Sequence, residues 1–126
     1  MFSFRPIHAT SAGKVFLADM PPEERGHYLS ETLERFTPKT ITSHHKLEEQ
    51  LVEVQEQGYG YTIDELEVGL SAIAAPIRDI HRRAIAAVSV SGPSFRLNLN
   101  PIRGVADRLI AAAAEISQRS GEPKPG

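Results

Sequence analysis

The sequence predicts an α/β (α+β) domain in which helices flank a narrow antiparallel sheet. Two stretches typical of strands, Leu70–Arg78 and residues 84–91, are separated by a short connection, which indicates a hairpin. Amphipathic helical spacing precedes and follows this hairpin, for example in residues 43–57 and 101–116. The sheet is thin for so many helices, so we expect that this is a partial domain and that further strands lie upstream of it.

Two helices are expected near the start of the chain. Thr10 and Ser11 can cap a helix that runs to about Met20. Proline suits the first turn of a helix, so Pro22 predicts the start of a second helix, whose apolar positions extend to Phe36. Both segments carry apolar residues three and four positions apart, so each helix has one side to bury.

A third helix and a short strand precede the hairpin. Thr42 or Ser43 can cap this helix, and Gly58 is well placed just past its end near Gln57. The next residues, Gly60–Ile63, have the composition of a strand. This order predicts that the third helix is followed directly by the first strand of the sheet.

Turn and cap signals also mark the hairpin and the end of the chain. The connection at residues 79–83 contains neither glycine nor asparagine, so its turn type does not follow from the sequence. Pro76 removes a backbone donor from the first arm, which suggests an edge strand or a bulge. Asn100 and Pro101 predict the start of a long terminal helix.

We expect one domain over residues 1–121 and a disordered tail over residues 122–126.

Composition narrows the class of protein. The chain has 126 residues, a net charge of −2, a pI of about 6.2 and no cysteine. The length fits one domain, and the charge gives no electrostatic reason to expect direct binding to nucleic acid or to an anionic membrane. Disulfides and thiolate metal sites are excluded. With no apolar run approaching the roughly 20 residues that span a bilayer and no signal-peptide pattern, we expect a soluble cytoplasmic protein.

Four segments of the chain resemble the effector-binding domain of the IclR family of bacterial transcription regulators. They are residues 6–18 (PIHATSAGKVFLA), 33–42 (LERFTPKTIT), 57–59 with 64–70 (QGY and DELEVGL), and 73–79 with 86–93 (IAAPIRD and AAVSVSGP). The segments occur in the order and spacing of the family and cover nearly the whole chain. The combination is specific.

The resemblance implies a GAF-like fold, with an antiparallel sheet flanked by helices, that senses a small organic effector. In the family this domain follows a winged helix-turn-helix that binds operator DNA, and it contributes to a homodimer or tetramer. Effectors are mostly small carboxylates and aromatic acids. The DNA-binding domain, the linker helix and the first strands are expected to be missing here, so operator DNA would be reached only through that missing part. No cofactor and no enzymatic activity are implied.

The resemblance places one group of ligand-binding residues at the first helix: Ser11, Ala12 and Gly13. A helix N-terminus offers free backbone N–H groups and a partial positive charge, which suit a carboxylate. The alternative is that Ser11 only caps the helix and that Gly13 only allows close packing. For Lys14, a solvated side chain is favoured over pairing with a bound anion.

A second group of candidate ligand residues lies on the strands: Thr62, Leu70, Ala72, Ser89 and Ser91. Leu70 and Ala72 share one strand face, as do Ser89 and Ser91, because side chains alternate along a strand. The family uses matching positions for its pocket, and serine hydroxyls can bind a carboxylate. Thr62 stands where at least one family member has a ligand-contacting aspartate. The alternative for the whole group is ordinary sheet packing.

Other chemistry is not favoured by the sequence. His44 and His45 are adjacent, so on a helix they diverge by about 100° and do not readily bind one metal. Asp64, Glu65 and Glu67 form an acidic connector for which a solvated turn is the default, because no nucleophile or oxyanion hole accompanies them. His8 is interpreted as a hydrogen-bonding residue at the helix entry. The main alternative to an effector sensor is a ligand-independent oligomerisation or protein-interaction module.

Overall fold

A computed structural model describes residues 7–29 and 32–121 of the chain. Among these residues, three helices precede the three strands of a sheet and a fourth helix follows them. The helices are α1 (Ser11–Asp19), α2 (Pro22–Tyr28), α3 (His44–Gln57) and α4 (Leu99–Gly121), and the strands are β1 (Gly60–Ile63), β2 (Leu70–Arg78) and β3 (Ala84–Pro93). The α/β class with an antiparallel sheet is therefore confirmed. The predicted tail over residues 122–126 lies outside the described residues.

The three strands form an antiparallel sheet in the order β1-β2-β3. Paired residues share a face, so each row across the sheet belongs to one side. One side, which we call the α1 face, carries Ala74 and Ala87 and packs against α1 and α3. The other side, the α4 face, carries Ile73 and Ala75 and packs against α4.

Each face of the sheet has its own hydrophobic core. The core under α1 and α3 contains Val15, Leu17, Ala18, Leu47, Leu51, Val54 and Ala74, and the core under α4 contains Ile73, Ala75, Ile102, Ala106, Leu109 and Ala113. In α3 and α4 the buried residues recur three or four positions apart, as the sequence predicts. The sheet is thus held between helices on both sides.

The predicted caps of the third helix are confirmed. The Ser43 side chain accepts a hydrogen bond from Lys46 N, and Gly58 follows the helix with a φ of 86°. That left-handed conformation suits glycine because it carries no Cβ. At α1 the cap is Thr10, whose side chain accepts a hydrogen bond from Gly13 N, so Ser11 is not the cap.

Two boundary predictions were wrong. The second helix ends at Tyr28, although its predicted continuation still supplies buried Leu33 from a segment without helical structure. The last helix begins at Leu99, so Asn100 lies in its first turn and does not cap it. For Pro76, the edge alternative is wrong because the residue lies in the central strand β2, whereas the bulge alternative fits the register shift just beyond it, between Ile77 and Arg78.

Candidate functional site

The first turn of α1 lies over one corner of the sheet. The Thr10 side-chain oxygen accepts a hydrogen bond from Gly13 N, and the Thr10 carbonyl oxygen accepts one from Lys14 N. Within the described residues, the N–H groups of Ser11 and Ala12 have no protein acceptor. The first turn therefore keeps two free donors at the positive end of the helix.

The candidate residues on the strands lie in three neighbouring rows of the α1 face. One row pairs Thr62 with Ala72 and Ala72 with Ser91. The row beside it contains Gly60, Ala74 and Ser89, and the row on the opposite side pairs Leu70 with Pro93. The structure thus brings the predicted strand residues together on one face, at the end of the sheet away from the hairpin turn.

The start of helix α1 lies over the β1 side of these rows, and α1 also buries Ala74 of β2. A Cβ added to Gly60 would lie 3.1 Å from the carbonyl oxygen of Ser11, so the start of α1 rests directly on β1. Ser11 and Thr62 are accordingly buried. Ala72 is half-buried, while Ser89 and Ser91 on β3 are exposed. The candidate site is therefore an open sheet face that has the first turn of α1 as a wall on one side.

A buried ion pair lies beside this site. Lys14 Nζ is 2.5 Å from Glu65 Oε1 and 3.4 Å from the carbonyl oxygen of Tyr61, and the Lys14 side chain is fully buried. Burial lowers the pKa of the Lys14 ammonium and raises the pKa of the Glu65 carboxyl, because both charges have left water. Lys14 thus fastens α1 to the connector between β1 and β2.

That connector is also held by hydroxyl groups. Thr40 Oγ1 donates to the carbonyl oxygen of Glu65, and Thr37 Oγ1 donates to that of Asp64. The Asp64 carboxylate accepts hydrogen bonds from Ser94 Oγ and Gly69 N, and these bonds hold its pKa below its usual range. The acidic connector is consequently an ordered junction between α1, the 37–40 loop and the end of β3.

The ion pair is the part of the site that sequence reasoning missed. The sequence predicts a solvated Lys14 and a solvated turn around Glu65, and both predictions are wrong because both residues are buried. Helical spacing did hold a signal, because position 14 falls on the same side of α1 as the buried residues Ser11 and Ala18. His8 was interpreted correctly, since its Nε2 donates to the carbonyl oxygen of Glu34 at 2.8 Å.

The described residues form neither a cluster of metal ligands nor a membrane-spanning helix. Over residues 7–29 and 32–121, no three histidine, cysteine, aspartate or glutamate side chains come together as metal ligands would. In the same part of the chain, no helix combines the length and the apolar character needed to cross a membrane.

Comparison with known proteins gives one consistent match. The profile of the family described as "Bacterial transcriptional regulator IclR C-terminal" matches residues 3–118. The HTH-type transcriptional regulator BhcR of Paracoccus denitrificans is 39% identical over 112 residues, which are 88% of this chain and 40% of BhcR. The transcriptional repressor IclR of Escherichia coli is 35% identical over 92% of this chain and 43% of its own length.

A solved structure gives the same match. The inducer-binding domain of a double mutant of PobR from Acinetobacter, in complex with 3-hydroxybenzoic acid, superposes with a TM-score of 0.82 at 33% identity. The match covers 89% of this chain and 65% of that one. Both curated relatives are named transcription regulators.

The chain spans less than half the length of the curated relatives described above. Its match lies in the C-terminal part of the family, where the profile covers nearly every residue. The chain belongs to the IclR family of bacterial transcription regulators.

Proposed function

We propose that this chain is an effector-sensing domain that binds a small carboxylate or aromatic acid on the α1 face of its sheet. The observation that carries the proposal is the open row of Ala72 and Ser91, which lies beside Ser89 and the free first turn of α1. Small side chains on this face leave space above the sheet. In the full-length regulator we place the domain in the cytoplasm, within a homodimer or tetramer.

The chemistry of this face suits an organic anion. Backbone N–H groups at a helix N-terminus favour negative charge, and the hydroxyls of Ser89 and Ser91 can donate to a carboxylate or accept from a phenol. The related PobR domain was solved with 3-hydroxybenzoic acid, which carries both groups. We therefore expect an effector of this kind, held through its carboxylate near α1 and its hydroxyl or ring over β3.

Regulation would follow from unequal affinity for two arrangements of the domain. A ligand shifts an equilibrium only by as much as its affinities for the two states differ. Here α1 touches the ligand and is fastened by Lys14 to the connector, so a bound ligand would favour one position of that connector. The change would reach operator DNA through the DNA-binding part that relatives carry upstream.

A thermal-shift screen tests the proposal directly. The 126-residue chain would be screened against 2-oxo acids, dicarboxylates and hydroxybenzoates. A ligand that binds only the folded state stabilises it by roughly 2.7 kcal/mol at a hundredfold excess over its dissociation constant. A saturable rise of the midpoint with one class would support a sensor and identify that class. If no class shifts the midpoint, the proposal fails for this chain.

Replacing Ser89 with leucine should abolish effector binding and leave the fold intact. The side chain is exposed on the α1 face, so the larger group fills the proposed site without entering a core. Calorimetric titration with the ligand from the screen would measure the loss, and urea unfolding would confirm the fold.

The matched control for this variant is Val90→Leu. Val90 is the next residue of β3, is 41% exposed and pairs with Ile73 on the opposite face of the sheet. Its substitution should leave ligand affinity unchanged. Undiminished affinity in Ser89→Leu, or an equal loss in Val90→Leu, would show that the ligand does not bind on the α1 face.

One observation favours a second candidate function, ligand-independent assembly. Strand β3 has ten residues without a charged side chain, and within the described residues it pairs with β2 alone. A long uncharged edge of this kind is a ready template for another strand. Sedimentation of the chain without ligand separates the two functions, because dimers with no ligand-dependent stabilisation favour assembly, and stabilisation without self-association favours the sensor.

A further inference from the structure

A sizeable cavity formed by the described residues lies away from the proposed effector site. It has a volume of about 640 Å³ and lies between the hairpin turn and the C-terminal half of α4. None of the candidate ligand residues lines it. It lies at the other end of the sheet from the row of Ala72 and Ser91, and it reaches Ala75 on the α4 face.

The walls of this cavity, which we call the hairpin cavity, are mostly apolar. They include Ala75, Pro76, Ile80, Ile110, Ala113 and Ala114. Ile80 is 68% exposed although it is a large aliphatic residue in the turn. A volume of this size with apolar walls and a few polar groups is typical of small-molecule sites.

The acidic groups near the cavity already have hydrogen-bond donors. The carboxylate of Asp79 accepts hydrogen bonds from the backbone N–H groups of His81 and Arg83, which shape the turn. The carboxylate of Asp19 accepts from Arg78 Nη1 and from the N–H of Ala84. Both carboxylates therefore have hydrogen-bond partners within the protein, and neither needs a donor from a ligand.

The basic groups lining the cavity retain free donors. Arg78 uses Nη1 for Asp19 and for the carbonyl oxygen of Arg82, while its Nε and Nη2 make no hydrogen bond within the part of the chain that the structure describes. In that same part, the guanidinium of Arg82 makes no hydrogen bond or ion pair. Both arginines therefore have free, positively charged N–H groups, which can bind an anion.

We infer that the hairpin cavity is a second ligand site, which binds an amphipathic organic acid with its apolar body against α4 and its carboxylate on Arg78 and Arg82. The apolar walls would desolvate a ring or a short hydrocarbon chain. The guanidinium groups are suited to a carboxylate because their donors are planar and paired. This site shares no residue with the candidate effector site and does not depend on it.

The test is a titration of the ¹⁵N-labelled chain with 2-naphthoate, followed by amide chemical shifts, and a parallel titration with the uncharged 2-naphthamide. Saturable shifts are expected in residues 75–82 and 110–118. We expect 2-naphthamide to bind about tenfold more weakly, because it lacks the charge that the arginines recognise. Shifts confined to residues 11–13 and 89–91, or no saturable shift, would overturn the inference.

Two substitutions test the geometry of the site. Arg82 has a φ of 65°, so Arg82→Asn removes the guanidinium but keeps a residue that tolerates left-handed backbone. Its affinity for 2-naphthoate should fall about tenfold. Ala114 is exposed, and Ala114→Phe should fill the cavity and abolish binding of both probes.

Arg83→Asn is the matched control, because Arg83 is also an exposed basic residue of the turn but does not line the cavity. Its affinity for 2-naphthoate should equal that of the unmodified chain. Equal affinities in Arg82→Asn and the unmodified chain, or equal losses in Arg82→Asn and Arg83→Asn, would show that a specific carboxylate site is absent.

Discussion

Replacing Glu65 with glutamine is expected to destabilise the domain by about 3–5 kcal/mol, because it leaves the Lys14 ammonium buried without an anion. The lysine side chain has no exposed surface, and its nearest other acceptor is the carbonyl oxygen of Tyr61 at 3.4 Å. Glutamine has the shape of glutamate, so the change isolates the charge. Urea unfolding measures the loss as a lower midpoint with an unchanged slope.

The double replacement Lys14→Met with Glu65→Leu should recover most of that stability. Two apolar side chains of similar volume avoid the desolvation of two charges, which the attraction within a buried pair often only offsets. As a control, Glu49→Gln alters an exposed pair with His45 and should change stability by less than about 0.5 kcal/mol. If Glu65→Gln cost as little stability as Glu49→Gln, the buried pair would not be what holds α1 to the connector.

The stability of Glu65→Gln should also depend on pH in a characteristic way. Burial already lowers the pKa of Lys14, and removal of its anion lowers that pKa further. Between that lowered pKa and the ordinary lysine pKa of about 10.4, the unfolded chain binds more protons than the folded one, so stability rises with pH. We expect Glu65→Gln to gain stability from neutral pH towards pH 10, relative to the double replacement. Parallel profiles for the two proteins would contradict the assignment of the buried charge.

The parts of this fold that follow from sequence are those decided by local chemistry. Ser43 and Gly58 bound α3 as predicted, because a capping hydroxyl and a left-handed glycine act on their immediate neighbours. The sequence predicts too long a second helix because the apolar Leu33 continues the helical spacing beyond Tyr28. Once the chain leaves α2, that residue is buried by tertiary packing without a helix.

In the candidate site, too, some features follow from local sequence patterns and others arise only from tertiary packing. A period of two places Ser89 and Ser91 on one face of β3, and the pairing of Ser91 with Ala72 extends that face across the sheet. Lys14 and Glu65 are 51 positions apart, so no local pattern joins them. The hairpin cavity is equally long-range, since it forms only where the turn meets the far end of α4.

Replacing Gly13 with alanine is expected to destabilise the domain by about 3 kcal/mol, because the new methyl group has no space. An added Cβ would lie 2.0 Å from the carbonyl oxygen of Ile7 and 2.6 Å from Thr10 Oγ1. The first contact is with backbone, so relief requires the chain before α1 to move. This strain outweighs the roughly 1 kcal/mol that alanine normally gains over glycine in a helix.

Gly104→Ala gives the matched control, because an added Cβ in α4 meets no atom within 4 Å. It should stabilise the domain by about 0.5–1 kcal/mol, the ordinary helix preference. Thermal unfolding of the two variants should therefore shift in opposite directions. A stable Gly13→Ala protein that fails to bind the effector would reverse the argument, since Gly13 would then serve the ligand directly. Loss of stability instead means that glycine is required for the entry of the chain into α1, which places Ser11 and Ala12 over the sheet.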